Sequence, residues 1–183
     1  MLTIAKLGAG QENYYLSKVA QGIEDYYTGQ GELAGAWMGR GAARLGLAGD
    51  VSGDELRAAL GGVDPTTGRR LAGREGAKRV PGWDLTFSAP KSVSVLYGLG
   101  GESVAKEVAA SHGAAVAAGL AYLEEHATVS RRRVDGEIEP VKGEGLVVAA
   151  FRHRTSRAGD PQLHSHALVA NVVEHVDGGS GAI

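Results

Sequence analysis

The chain has 183 residues, a size that fits one domain, and its 43% hydrophobic and 22% charged residues are close to globular averages, so a packed core is expected. It has no cysteine, which excludes disulfide scaffolds, thiolate nucleophiles and cysteine zinc sites, and leaves any metal to His and carboxylates. A net charge of −2 argues mildly against a nucleic-acid partner, but the basic residues are clustered rather than spread.

In chain order, Met1–Leu7 alternates Leu2 and Ile4 with polar positions and predicts a short strand. No early stretch is apolar enough for a signal peptide, and none approaches the ~20 residues of a membrane span, so a soluble, cytoplasmic protein is expected. Gln11–Tyr27 places Tyr15, Val19 and Ile23 four apart, a helical spacing. In Val51–Leu56, Ser52 reads as an N-cap with Glu55 three residues on and Val51 set to staple Leu56, so a helix runs to Leu60. Asp64–Val80, with its glycines and Asp64-Pro65, and with five basic residues against one acid between Thr66 and Val80, reads as an exposed basic loop.

Trp83–Ser88 alternates and is rich in β-formers, hence a strand. Ser88-Ala89-Pro90 resembles a cap with an early proline, opening a short helix through Val93 and Leu96. Glu102–His126 carries a one-sided stripe of Val104, Val108, Val116, Leu120 and Leu123, predicting a long helix. Val129–Val134 and Leu146–His153 are further strands, the second apolar enough to be central. Arg154–Pro161 is a polar loop, Gln162–Val173 a strand, and Asp177–Gly181 a turn. The sum is an α+β domain, an antiparallel sheet with helices on one face.

The strongest chemical signal is His153 with His164-Ser165-His166. Alternation along a strand puts His164 and His166 on the same face, and an antiparallel hairpin brings His153 within reach. Three neutral imidazoles suit a divalent metal and leave positions open for a substrate, although His164 and His166 could equally be plain half-exposed strand residues. The pairs Tyr14-Tyr15 and Tyr26-Tyr27 are candidate nucleophiles towards phosphorus once a metal or base compensates for a phenol pKa of ~10; half-buried helix tyrosines are the bland alternative. Asp84 is placed either to orient an imidazole or to take the tyrosine proton. Lys91 and Ser88, at a helix start, and Arg152, Arg154 and Arg157, around His153, are candidate phosphate contacts, as are Arg74 and Arg79 in the basic loop. Trp37 and Trp83 are candidate stacking platforms for bases.

In order along the chain, NYY, DYY, WDLTFSAPKSVS, FRHRTSR and DPQLHSHALVANV resemble the MobF-type conjugative relaxases of plasmids, within the histidine–hydrophobe–histidine endonucleases. The resemblance covers nearly the whole chain. It implies a five-stranded antiparallel sheet in a circularly permuted palm or RRM-like fold. It further implies Tyr14 as the nucleophile of a first nick, Tyr26 or Tyr27 as that of a second strand transfer, His153, His164 and His166 as holders of Mg, Mn or Zn, and Asp84 as the acid beside them. The implied activity is site-specific nicking of single-stranded DNA at a transfer origin, through a 5′-phosphotyrosine, alongside other conjugation proteins. Alternatives are a rolling-circle replication initiator and a non-catalytic fragment that only binds single-stranded DNA. Two departures stand out: Leu16–Glu24 between the tyrosine pairs is longer than in the plasmid relaxases, and Ser165 occupies the hydrophobe's position. Relatives continue beyond the His-x-His strand and often into a helicase, so residues 1–183 are expected to be a relaxase domain incomplete on its C-terminal side.

Overall fold

The computed structural model describes residues 1–8, 35–73, 79–156 and 158–183. In chain order these form β1 (Leu2–Lys6), β2 (Ala36–Met38), α1 (Arg40–Arg44), α2 (Gly53–Leu60), β3 (Gly82–Ser88), α3 (Lys91–Leu99), α4 (Gly101–His126), β4 (Val129–Val134), β5 (Glu137–Lys142), β6 (Val148–Thr155), β7 (Pro161–Ala170), β8 (Val173–Glu174) and β9 (Ser180–Gly181). The expected helix over Gln11–Tyr27, both tyrosine pairs, Arg74 and Arg157 lie outside the described residues.

Five strands make one antiparallel sheet in the order β1-β3-β7-β6-β2, so the α+β reading holds. The centre belongs to β7, and the apolar β6 is interior beside it. Register fixes the faces: Leu85↔Ala167 and Phe87↔Ser165 share one side, Thr86↔His166 and Ser88↔His164 the other. The first side packs on α4, where Val116 and Leu120 meet Leu85, Val148, Ala167 and Val169. There the Phe87 ring presses on the helix backbone so closely that a Cβ at Gly119 would lie 2.7 Å from it, which only glycine accommodates. The long helices keep to this face, and the short α1 and α2 close the far end of the opposite face, where Leu56 and Leu60 pack with Trp37, Ala149 and Leu168.

The start of α2 follows its sequence signature. Ser52 Oγ accepts from the Glu55 amide at 3.2 Å and Glu55 Oε2 accepts from the Ser52 amide at 3.3 Å, a reciprocal cap. The Trp37 indole also donates to Glu55 Oε2 at 3.2 Å, and this bond, ahead of the Ser52 bonds and against burial, holds the carboxyl below its usual range. Glu124, buried in α4, accepts from the amides of Arg40 at 2.7 Å and Leu146 at 2.8 Å, pinning the end of that helix to α1 and to the approach of β6.

Four expectations change. Within the Asp64–Val80 stretch, Thr66–Arg70 are exposed as expected, but among the described residues the loop is tied down on both sides: the buried Asp64 carboxylate accepts from Thr66 and Thr67, and Leu71 and Ala72 enter the core. Ser88 ends β3 and Pro90 takes the N-cap of α3 without a side-chain bond, because the strand pairing runs on to Ser88↔His164. The predicted strand from Gln162 to Val173 divides into β7 and β8. Strand β5 was not anticipated, although Asp135-Gly136, with φ of 50° and 91°, is a standard two-residue hairpin signal.

Candidate metal centre on the central strand

His164 and His166 share one face of β7 through the two-residue alternation of the strand. His153, on β6, stands directly opposite His164, and the register slips just beyond it, between His153 and Thr155. The irregularity is a bulge-like feature of the kind that re-aims side chains beside active sites. The three rings converge with centroid separations of 5.1, 5.1 and 5.2 Å. One nitrogen from each lies within 4.8 Å of the others.

Hydrogen bonds behind the rings decide which nitrogens are available. Asp84, only 4% exposed, accepts from His166 Nδ1 at 2.9 Å, and the Gln162 carbonyl accepts from His164 Nδ1 at 2.9 Å. Both protons are thereby placed on Nδ1, leaving each Nε2 lone pair to the centre. Burial first, then the charges of His166 and His164, push His153 down to about 3 against the pull of Asp84, so this ring is neutral at neutral pH. His153 Nδ1 and His164 Nε2 are 3.3 Å apart, close to the ~3.3 Å that neighbouring nitrogens adopt around a tetrahedral ion bound at about 2.0–2.1 Å. The donor set therefore fits a divalent metal.

Of the two roles open to Asp84, the observed one is orientation of His166. Thr86, which sequence reasoning passed over, stands two residues along the same face with Oγ1 3.2 Å from His166 Nδ1. Its signal was that same alternation. His112 was also missed. It sits in the buried stripe of α4 between Val108 and Val116, and its Nε2 is 2.9 Å from Ser165 Oγ on the back of the metal strand. Burial, and after it the charge of Arg152, keeps His112 below its usual pKa. A polar residue inside an apolar helical stripe was the available signal.

Ser165 thus faces away from the triad, as expected, but it is bonded there rather than idle. The candidate phosphate contacts fare less well. Arg152 pairs with Ser165 and so belongs to the helix side of the sheet, away from the imidazoles, because alternation reverses it relative to His153. Lys91 binds the Asp160 carboxylate and donates to the Pro161 carbonyl at 2.8 Å, holding the approach to β7. Arg79 donates to the carbonyls of Leu60 and, at 2.6 Å, Asn171, a structural strap. Arg154 follows His153 in the irregular stretch, half-buried. Trp37 is buried against Glu55 and Trp83 packs into the helix-side core, so neither indole is an open platform.

The model of the TrwC relaxase family matches residues 8–183. The chain belongs to that family. The MobF-type resemblance read from the motifs is thereby borne out. Among relaxase relatives, the multifunctional conjugation protein TraI of Escherichia coli (strain K12) is 42% identical over 178 residues, spanning 96% of this chain and 10% of TraI. A second Escherichia coli TraI is 40% identical over 174 residues, spanning 94% of this chain and 9% of the relative. Among solved structures, a metal-bound conjugative relaxase TrwC in complex with oriT DNA superposes with a TM-score of 0.82 at 36% identity, and a copper-bound complex with 0.83 at 36%. TrwC with a 27-mer DNA comprising the recognition hairpin and the cleavage site gives 0.80 at 34% identity. All of this chain is covered in these superpositions, against 61%, 61% and 59% of the TrwC chains. This relaxase-family chain therefore spans about three fifths of the solved relatives and about a tenth of TraI. Among the described residues, no helix is long and apolar enough to cross a membrane.

Proposed function

We propose that this chain carries the nicking and strand-transfer centre of a conjugative relaxase, acting in the cytoplasm on single-stranded DNA at a transfer origin, with other conjugation proteins. The observation that carries the reading is the imidazole triad, with its tautomers set by Asp84 and the Gln162 carbonyl, in a chain of the TrwC relaxase family. His153, His164 and His166 would hold a divalent metal, Mg, Mn or Zn. Such an ion supplies Lewis-acid stabilisation of charge on the scissile phosphate.

The protein's own groups do the rest. Asp84 keeps the His166 proton on Nδ1, and the neighbouring Thr86 hydroxyl stands beside both. Tyr14, assigned by the family motif, attacks phosphorus through its phenol oxygen; the bond to the 3′ oxygen breaks, and the tyrosine proton is given up as the 3′ hydroxyl takes one. One phosphodiester is exchanged for another, a 5′-phosphotyrosine, so the reverse reaction can reseal the strand. Tyr26 or Tyr27 would serve a second transfer.

The test is incubation with Mn or Mg and a labelled oligonucleotide of the element's own transfer origin, followed by a denaturing gel. A slow-migrating adduct is expected, lost in Tyr14→Phe and on chelation while DNA binding persists. An adduct that survives Tyr14→Phe moves the nucleophile elsewhere. Absence of any adduct, from this chain and from a longer form of the protein alike, leaves only the DNA-binding reading.

A further inference from the structure

The register slip between β6 and β7 takes backbone groups out of the sheet beside the triad. Between the pairs His153↔His164 and Thr155↔Pro161, one residue of β6, Arg154, faces two of β7, Gln162 and Leu163. An extra residue of this kind is left out of the ladder, so its backbone groups need other partners. The opening of α3 supplies them. The Ala89 amide donates to the Leu163 carbonyl at 3.0 Å, and Lys91 Nζ donates to the Pro161 carbonyl at 2.8 Å. Between these two bonds, Ser94 Oγ accepts from the Leu163 amide at 3.0 Å.

Ser94 is the one buried residue of α3, 1% exposed, in a helix whose Val95, Leu96 and Leu99 stay exposed. What this helix buries is therefore a hydroxyl and not an apolar side chain. The hydroxyl proton is committed one turn back, to the Pro90 carbonyl at 3.2 Å, the usual bond of a serine inside a helix. That leaves a lone pair for the Leu163 amide. A peptide unit is planar, and in its trans form the carbonyl and the amide point in opposite directions. The Leu163 amide and the Gln162 carbonyl belong to one such unit. That carbonyl is the acceptor, at 2.9 Å, that keeps the His164 proton on Nδ1. Fixing one end of the peptide thus aims the other.

We propose that Ser94 is a positioning residue for the metal ligand His164, acting through the Gln162–Leu163 peptide, whose carbonyl keeps Nε2 of the ring as the metal-facing nitrogen. It rests on the reading of the triad as a metal centre. Ser94 is bonded to Pro90 and Leu163, so its effect on the ring is relayed and not direct. Two of the sequence motifs thereby work as one unit: the last serine of WDLTFSAPKSVS sets the first histidine of DPQLHSHALVANV.

The test reads the ring-nitrogen NMR shifts of His164 in the metal-free chain, in mildly alkaline buffer where imidazoles are neutral, together with Mn affinity by calorimetry. In Ser94→Ala a second, Nε2-protonated form of His164 should appear. Mn affinity should fall about tenfold, the lower end of what outer partners of a metal ligand contribute. Ser94→Cys, with a weaker acceptor, should fall between wild type and alanine, and it carries the test by itself if Ser94→Ala does not fold. Leu163→Ala separates positioning from stability. It leaves the Leu163 amide in place, so it should keep the wild-type tautomer and Mn affinity despite the larger loss of stability. An unchanged tautomer and affinity in the folded serine variants overturns the proposal. So does an equal loss in Leu163→Ala, which would trace both effects to a general loosening of the strand. If wild type binds no Mn, the metal-centre reading fails, while the tautomer of His164 in the serine variants still decides the relay.

Discussion

The two faces of β7 divide the protein's labour. Odd-numbered Leu163, Ser165, Ala167 and Val169 are buried against the helix side, whereas His164 and His166, one residue out of step, are half-exposed and converge with His153. A pleat of period two therefore places stability and chemistry on one strand without either compromising the other. The same pleat makes register critical, because a slip of one residue would exchange the faces. Further along, the chemical face itself becomes core, where Leu168 meets Trp37 and Leu56, so the triad is braced at one end by packing.

The sharpest way to break this comparison is a pair of truncations on adjacent residues. Leu163→Ala, on a fully buried side chain, should cost about 2–5 kcal/mol in a thermal or denaturant melt while the folded protein still binds Mn. His164→Ala should do the reverse, abolishing Mn binding in a calorimetric titration with little change in metal-free stability. Equal melting of the two variants, or equal metal binding, would show that the faces are not separable.

A smaller effect is expected from Asp84→Asn. It keeps the shape but weakens the acceptor that holds His166 Nδ1, so metal affinity should fall roughly 10- to 100-fold. Affinity that stays at the wild-type level would show that the carboxylate is not what orients the ring. Smallest for the metal, yet informative, is Ser165→Ala. Leaving the buried His112 Nε2 without its partner should cost about 1–3 kcal/mol of stability. Metal affinity should move less than for Asp84→Asn. Adding His112→Phe should recover stability, since replacing both partners by apolar groups removes the unsatisfied atom; a double variant no better than the single one would mean the bond is not what stabilises the back of β7.

Much of this was legible without coordinates where short-range rules apply. The Ser52–Glu55 cap, the stripe of α4 and the alternation of β3 and β7 depend on neighbours within a few residues, and they formed as read. The triad was legible too, since alternation and a hairpin connection suffice to bring His153 to His164. Expectations based on residue type alone did worse. Arg152, Lys91 and Arg79 read as free cations near phosphate, but Lys91 and Arg79 are engaged by partners distant in sequence, Asp160 and the Leu60 and Asn171 carbonyls, and Arg152 is turned to the helix side by the alternation of β6. Trp37 read as a platform and is a core residue, because Glu55, remote in the chain, satisfies its indole.

The sequence by itself determined the family, through long ordered motifs, and the elements whose periodicity is local. Only the tertiary structure decided which nitrogens of the triad are free, that Ser165 leans on His112 behind the metal strand, and that Ser94 holds the Leu163 amide beside the triad. The physical reason is that a hydrogen-bond partner or a shared face is a relation between residues far apart in the chain, 82 positions for His166 and Asp84, and such a relation exists only once strands have paired.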